Sequence, residues 1–97
     1  MMSRHDRLLA GRRVLVTGGA RGLGYAFAQA IGEAGARVVI ADVLHERVQQ
    51  AACELRALGL EVQAVTVDLA QPESIQACIE STLSLLGGLD GLVNNAS

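Results

Sequence analysis

The sequence of 97 residues contains no lysine and no tryptophan, and aromatic residues make up only 2% of it. With a net charge of −2 and no lysine, it has no basic stripe, so neither nucleic acid nor an anionic membrane surface is predicted as a partner. The scarcity of aromatics means that any core must be built from Val, Leu, Ile and Ala, which suit helices packed closely on a sheet. The length allows one small domain and is too short for two.

Cysteine and long apolar runs are also scarce. Cys53 and Cys78 both fall in stretches predicted to be helical, and neither has a metal-ligating neighbour at a useful spacing. We interpret them as small packing residues of a reduced intracellular protein. No apolar run reaches membrane-spanning length, and Arg12 and Arg13 interrupt the short one near the polar N-terminus. The sequence therefore predicts a soluble cytoplasmic protein with no metal site.

Short apolar runs alternate with amphipathic stretches from residue 12 onward, and residues 1–11 are predicted to be a flexible N-terminal arm. The runs are almost continuously apolar, which is typical of parallel strands covered on both faces. Right-handed crossovers would join each parallel pair. The pattern predicts one α/β unit with the element order β-α-β-α-β-α-β over residues 12–97. The strands are predicted at 12–17, 37–41, 60–67 and 89–94, and the helices at 23–34, 44–58 and 72–86.

A glycine-rich turn, Thr17-Gly18-Gly19-Ala20-Arg21-Gly22-Leu23-Gly24, joins the first predicted strand to the first helix. The first turn of a helix has unpaired N–H groups and partial positive charge, so it can hold a phosphate that comes close enough. Gly18 would allow a tight turn, Gly22 would keep a Cβ out of the phosphate path, and Gly24 would let the helix pack on the sheet. A plain strand–helix loop is the alternative. The residues predicted to form the phosphate site are Thr17, Gly18, Arg21, Gly22, Leu23 and Gly24.

Asp42 ends the second predicted strand, about eighteen residues after Gly24, where an acid that binds the adenosine ribose is expected. A 2′-phosphate about 4 Å from this carboxylate would be repelled by roughly 4 kcal/mol per unit charge at an effective dielectric near 20. Arg21 favours the opposite choice, because a guanidinium can pair with a 2′-phosphate. We expect NAD to be preferred over NADP. Without the glycine turn, a cap on the following helix would be an equal alternative for Asp42.

Two further segments follow the third and fourth predicted strands. Asp68 is predicted to accept a hydrogen bond from the adenine amino group, with the backbone of Leu69 against the ring. A loop cap before Pro72 is the alternative for Asp68. The run Asn94-Asn95-Ala96 follows the last strand, and a simple turn is its alternative.

These four segments, in this order, resemble the N-terminal half of the classical short-chain dehydrogenase/reductase family, from about Arg12 to Ala96. The family motif T-G-x-x-x-G-x-G falls on residues 17–24, its acidic NAD determinant on Asp42, its adenine-binding Asp on Asp68 and its N-N-A-G motif on residues 94–97. The resemblance implies a Rossmann-like three-layer α/β/α fold with a parallel sheet in the order 3-2-1-4. It also implies that Asn94 and Ala96 lie along the cofactor's ribose.

This sequence departs from the family pattern in two respects. Ser97 stands where the family has glycine. The family also uses a catalytic Tyr followed four residues later by Lys, whereas the only tyrosine, Tyr25, is followed at that spacing by Gln29. No catalytic residue is therefore assigned.

The resemblance implies the cofactor-binding portion of an NAD-dependent oxidoreductase that interconverts a secondary alcohol and a ketone. The chain alone is expected to be inactive. It is also expected to self-associate, since the fourth strand would be an edge. The alternatives are a non-catalytic dinucleotide-binding module and a chain that completes the sheet of another protein.

Overall fold

A computed structural model of the chain describes residues 8–95, so the predicted site residue Ala96 lies outside the described residues. Strands and helices alternate as predicted, and their ends agree with the predicted bounds to within about two residues. The strands are β1 (Arg13–Thr17), β2 (Arg37–Asp42), β3 (Val62–Thr66) and β4 (Gly91–Asn94). The helices are α1 (Gly22–Glu33), α2 (His45–Ala57) and α3 (Pro72–Leu86).

The four strands form one parallel sheet in the order β3-β2-β1-β4, which confirms the predicted order. The register places Thr17, the last residue of β1, beside Ala41 of β2 and beside Asn94 of β4. Because the strands are parallel, their carboxyl ends lie along one edge of the sheet. The loops that follow β1, β2, β3 and β4 therefore meet at that edge, where ligands of open parallel sheets bind.

Alternate residues of the central strands supply two separate cores. Val16, Val38 and Ile40 pack with α1 and α2 on one face, whereas Leu15 and Val39 pack with α3 on the other. The near-continuous apolar character of the strands follows from this double coverage, since side chains on both faces are buried. The arrangement confirms the predicted three-layer α/β/α fold.

Helix α3 begins and ends with residues that suit those positions. Pro72 occupies the first turn, where its missing N–H leaves no bond unmade. Gly87 terminates the helix in the left-handed conformation with a φ of 76°, and its N–H donates to the carbonyl of Leu83 over 2.8 Å.

The segment before β1 is attached to the end of α1. The N–H of Leu9 donates to the carbonyl of Ala34 over 2.8 Å, and that of Gly11 to the carbonyl of Gly35 over 3.2 Å. The division of the chain at residue 11 stays a prediction. Among residues 8–95, no helix is both long enough and apolar enough to cross a bilayer.

Candidate functional site

A cleft with a volume of about 540 Å³ lies at the carboxyl edge of the sheet. It brings together the glycine-rich turn after β1, the end of β2 and the loop after β3, as the sequence predicts. The residues that line it are Gly18, Arg21, Gly22, Leu23, Asp42, Val43, Val67, Asp68, Leu69, Ala70 and Asn95.

Three glycines give the turn its shape. Gly18 and Gly22 adopt left-handed conformations, with φ values of 69° and 61°, which side-chain-bearing residues rarely adopt. A Cβ on Gly22 would meet no protein atom within 4 Å, so it would project into open space. A Cβ on Gly24 would instead overlap the carbonyl of Gly18 and lie 2.9 Å from Nδ2 of Asn95. Gly24 therefore permits the close packing of α1 on the turn.

The N-terminus of α1 carries no side-chain cap. Arg21 occupies the N-cap position with extended backbone, and its side chain makes no capping hydrogen bond. The first turn contains no acidic residue. The N–H groups at the start of a helix have no intrahelical acceptor, and the helix dipole adds partial positive charge there. Gly22 and Leu23 begin α1 and line the cleft, so this end of the helix suits an anion.

The earlier part of the turn is bound to β2. The N–H groups of Gly18 and Gly19 donate to the carbonyl of Ala41 over 2.8 and 3.3 Å, and that of Ala20 donates to Oδ2 of Asp42 over 3.2 Å. These three donors are occupied by protein acceptors. The donors that remain for an anion are those of the first turn of α1.

Asp42 lies at the end of β2, is half-buried, and is one of the residues that line the cleft. Its Oδ1 accepts hydrogen bonds from the N–H groups of Val43 over 2.8 Å and Leu44 over 3.4 Å. The N-cap of α2 is Leu44, with no side-chain capping bond. Asp42 thus binds the turn that precedes α2 and the glycine-rich turn, and it does not occupy the N-cap position itself. Each carboxylate oxygen has two lone pairs, which leaves capacity for a ligand hydroxyl.

Asp68 caps the loop that follows β3. Its Oδ1 accepts from the N–H of Ala70 over 3.0 Å, its carbonyl accepts from Gln71, and its own N–H donates to Oγ of Ser74 over 2.8 Å. These bonds fix the loop before α3, as the loop-cap alternative supposes. Asp68 and Leu69 nevertheless also line the cleft.

Thr17, Gly24 and Asn94 are not among the residues that line the cleft; Thr17 and Gly24 are buried, whereas Asn94 is exposed. The buried Thr17 hydroxyl donates to Oδ1 of Asn94 over 2.9 Å, and Nδ2 of Asn95 lies at hydrogen-bonding distance, 3.5 Å, from the carbonyl of Gly18. These contacts tie β4 to the end of β1 and to the turn. The bond between Thr17 and Asn94 joins the two strand ends next to which the turn begins.

Four residues that line the cleft were missed by sequence reasoning: Val43, Val67, Ala70 and Asn95. Each directly adjoins a predicted site residue, so position next to a strand end was the available signal. Their side chains are apolar or engaged with the protein, and nothing in their residue type points to a ligand.

The parallel sheet, the glycine turn and the cleft at its carboxyl edge define a Rossmann-like α/β fold. A profile of the family described as short chain dehydrogenase matches residues 12–97. The chain belongs to the short-chain dehydrogenase family.

Relatives from this family share sequence and structure with most of the chain. A short chain dehydrogenase/reductase, dpchG, from Colletotrichum higginsianum is 43% identical over 89 residues, which cover 92% of this chain and 33% of that protein. The crystal structure of a short chain dehydrogenase from Mycobacterium smegmatis has 41% identity and a TM-score of 0.90, covering 93% of this chain and 38% of that one. The chain spans about a third of the length of the curated relatives it matches.

Solved relatives contain two different cofactors. A short chain dehydrogenase from Burkholderia cenocepacia in complex with NADP has 40% identity and a TM-score of 0.84, covering 92% of this chain and 37% of that one. A relative from Burkholderia phymatum in complex with NAD has 31% identity and a TM-score of 0.82, covering 87% of this chain and 30% of that one. The fold therefore occurs with both nicotinamide dinucleotides.

Proposed function

We propose that this chain binds NAD in the cleft and forms the cofactor-binding portion of an oxidoreductase that interconverts a secondary alcohol and a ketone. The observation that carries the proposal is that the uncapped start of α1 and Asp42 line the same cleft. A helix start binds phosphate, and a carboxylate accepts hydrogen bonds from ribose hydroxyls. The nicotinamide of bound NAD would supply hydride chemistry.

The residues of the cleft fit a dinucleotide. The open space above Gly22 would be filled by the Cβ of any other residue, so it suits a close-lying phosphate. Gly22 and Leu23 would offer N–H donors to the pyrophosphate, and Asp42 would accept from the adenosine ribose. Asp68 and Leu69 would face the adenine, while Thr17, Gly24 and Asn94 would support the turn from below. Ala96 is proposed along the ribose by resemblance alone.

The preference for NAD over NADP follows from charge. Asp42 would lie near a 2′-phosphate and repel it, by roughly 4 kcal/mol per unit charge at about 4 Å. Arg21 also lines the cleft and would offset part of this repulsion. We propose that Asp42 prevails because it sits at the strand end where the ribose is expected.

Isothermal titration of the chain with NAD and with NADP tests the proposal. We expect NAD to bind at least about tenfold more tightly, a difference of about 1.4 kcal/mol. Replacing Arg21 by Gln should weaken NADP binding more than NAD binding. The matched variant Arg47→Gln removes an exposed arginine outside the cleft and should change neither. Equal or tighter binding of NADP would contradict the preference, and no binding of either would contradict the site.

We propose that the chain alone transfers no hydride, because it contains no lysine and its one tyrosine, Tyr25, lies on α1. Incubation with NAD and a panel of secondary alcohols should yield no NADH absorbance. NADH formation above the buffer control would contradict the proposal that the chain alone is inactive.

We also propose a cytoplasmic location, supported by the free thiols of Cys53 and Cys78.

Self-association of the chain is proposed on the character of β4. This strand is an edge of the sheet among the described residues, and Leu92 within it is 56% exposed. Size-exclusion chromatography with light scattering should show a mass that rises with protein concentration. A single monomeric mass over the whole range would contradict it.

A further inference from the structure

We infer that Asp42 is a positioning residue for the glycine-rich turn, in addition to being the proposed ribose ligand. One carboxylate would then serve both halves of the site, by fixing the turn that presents the start of α1 and by accepting from the sugar. The inference rests on the proposed function, because the turn matters only if a pyrophosphate binds there. It goes beyond that function by making phosphate binding depend on the residue that recognises the ribose.

The contact between Asp42 and the turn is direct. Oδ2 of Asp42 accepts the hydrogen bond from the N–H of Ala20 over 3.2 Å, across 22 residues of sequence. Ala20 is 5% exposed, so its N–H has little access to water as a replacement acceptor. Ala20 precedes Arg21, the N-cap of α1, so the position of its peptide sets where the helix begins.

Two other backbone N–H groups of the turn, those of Gly18 and Gly19, also bind β2. Gly18 and Gly19 share the single carbonyl of Ala41 as their acceptor, and both contacts lie at the start of the turn. The bond from Ala20 is the one nearest to α1. Losing it would leave the second half of the turn, up to Gly22, free to shift away from β2.

A carboxylate is the side chain that can make all of these bonds. Oδ2 accepts from Ala20, while Oδ1 accepts from Val43 and Leu44 on the opposite side. An amide has only one acceptor oxygen, and its NH₂ group would face an N–H donor on the other side. The amide oxygen is expected to stay with the two donors Val43 and Leu44, one of them at 2.8 Å, so Asn at position 42 would lose the bond from Ala20 although its shape is nearly the same.

The test compares Asp42→Asn with the unmodified chain, using ADP and 2′,3′-dideoxy-ADP as probes. Dideoxy-ADP retains the adenine and the two phosphates but lacks the ribose hydroxyls, so it reports on the site without any hydrogen bond from the ribose to Asp42. If Asp42 positions the turn, the substitution should weaken dideoxy-ADP binding by at least about fivefold, the effect of one ordinary hydrogen bond. If Asp42 acts only on the ribose, dideoxy-ADP binding should stay the same or tighten, since a negative charge near the phosphates has been removed.

Glu73→Gln is the matched control. It removes one exposed negative charge from the first turn of α3, and Glu73 lines neither the cleft nor the pocket beside Ala20. It should leave the affinity for both probes unchanged or slightly increased, and it calibrates the effect of charge alone. Unchanged dideoxy-ADP affinity in Asp42→Asn, relative to this control, would overturn the inference.

Amide hydrogen exchange followed by NMR supplies a second measurement that needs no ligand. In the unmodified chain the Ala20 amide should exchange as slowly as that of Gly18, and Asp42→Asn should accelerate exchange at Ala20 selectively. Fast exchange at Ala20 in the unmodified chain would overturn the inference even if the variant fails to fold.

The binding results separate the inference from the proposed function. If neither probe binds the unmodified chain, the proposed function fails and the positioning role fails with it, although slow exchange at Ala20 would still establish the contact between Ala20 and Asp42. If ADP binding weakens and dideoxy-ADP binding does not, the proposed function stands and the inference alone fails.

Discussion

The hydroxyl of Thr17 donates a hydrogen bond of 2.9 Å to Oδ1 of Asn94, and this bond joins the carboxyl ends of β1 and β4. Thr17 is 8% exposed whereas Asn94 is exposed, so the bond is partly buried. At the opposite ends of the same two strands, Arg13 and Asp90 form an ion pair with a 3.0 Å Nε–Oδ2 distance. Side chains thus fix the pairing of β4 with β1 at both ends of the strands. The glycine-rich turn begins at the end where Thr17 lies.

Replacing Thr17 by Val should destabilise the fold by about 0.5–1.5 kcal/mol, because the partly buried hydrogen bond to Oδ1 of Asn94 is lost. Urea denaturation followed by circular dichroism measures the change. At Thr66 the same substitution removes an exposed hydrogen bond, the 2.6 Å contact between the Thr66 hydroxyl and Nδ1 of His45, which water can replace. Its effect should stay within about 0.5 kcal/mol. Equal effects at the two positions would mean that the Thr17–Asn94 bond contributes little.

Gly24→Ala should destabilise the protein by about 1–3 kcal/mol or more, since the new Cβ would overlap the backbone carbonyl of Gly18. Gly32, in the same helix, is the matched position. There the Cβ would lie 3.3 Å from Cδ1 of Leu60, a flexible side-chain end. Alanine also has better helix propensity than glycine by about 1 kcal/mol, so Gly32→Ala should change the free energy of unfolding by less than about 1 kcal/mol in either direction. Thermal and urea denaturation of both variants measure the effects, and a Gly24→Ala variant as stable as the parent would contradict the close packing of α1 on the turn.

The Arg13–Asp90 pair should make stability depend on acid. The Arg13 side chain and backbone N–H donate to Asp90 and lower the pKa of this carboxyl to about 2. A pKa that is lower in the folded state means that the stabilisation is present above the unfolded value, about 3.9, and is lost as the pH falls through about 2.

The comparison that isolates this pair is the difference in free energy of unfolding between the parent and Asp90→Asn. That difference should be constant above pH 5 or so and should shrink between about pH 4 and pH 2. Urea denaturation at a series of pH values measures it. A difference that grows on acidification would have the wrong sign for an ion pair.

The two thiols should differ sharply in reactivity. Cys53 is exposed on α2, whereas Cys78 is 3% exposed on α3, and burial raises the pKa of its thiol. Because the thiolate is the reactive form, a disulfide reagent at mildly alkaline pH should modify Cys53 in the folded protein and Cys78 only after denaturation. Mass spectrometry of intact chains should show one modified thiol in buffer and two in urea. Rapid modification of Cys78 in buffer would contradict the packing of α3 on the sheet.

Much of the fold could be predicted from local sequence because each element carries its own signal. The apolar runs around Val14–Val16 and Val38–Ile40 are typical of strands that are covered on both faces. Pro72 and Gly87 indicate where α3 begins and ends. The strand order came from resemblance to the family, since nothing local to β4 says that it lies beside β1. The glycine spacing indicated a phosphate turn because left-handed backbone and close packing both demand residues without a Cβ.

The support of the candidate site could not be predicted in the same way. Ala20 and Asp42 are 22 residues apart, and Thr17 and Asn94 are 77 residues apart. Whether such pairs meet depends on strand register, and a shift of one residue would turn every side chain to the other face. Asn95 and Val43 likewise line the cleft only because β4 and β2 flank β1 in this register.

The sequence by itself determined the alternation of strands and helices, the place of the glycine turn and the acids that follow β2 and β3, because these depend on neighbours along the chain. Only the tertiary structure decided which backbone N–H groups of the turn have hydrogen-bond acceptors within the protein. It directs the N–H groups of Gly18, Gly19 and Ala20 to β2 and leaves the start of α1 for an anion. It also buries Thr17 outside the cleft lining, where its hydroxyl binds Asn94, because partners across a parallel sheet are set by register and packing.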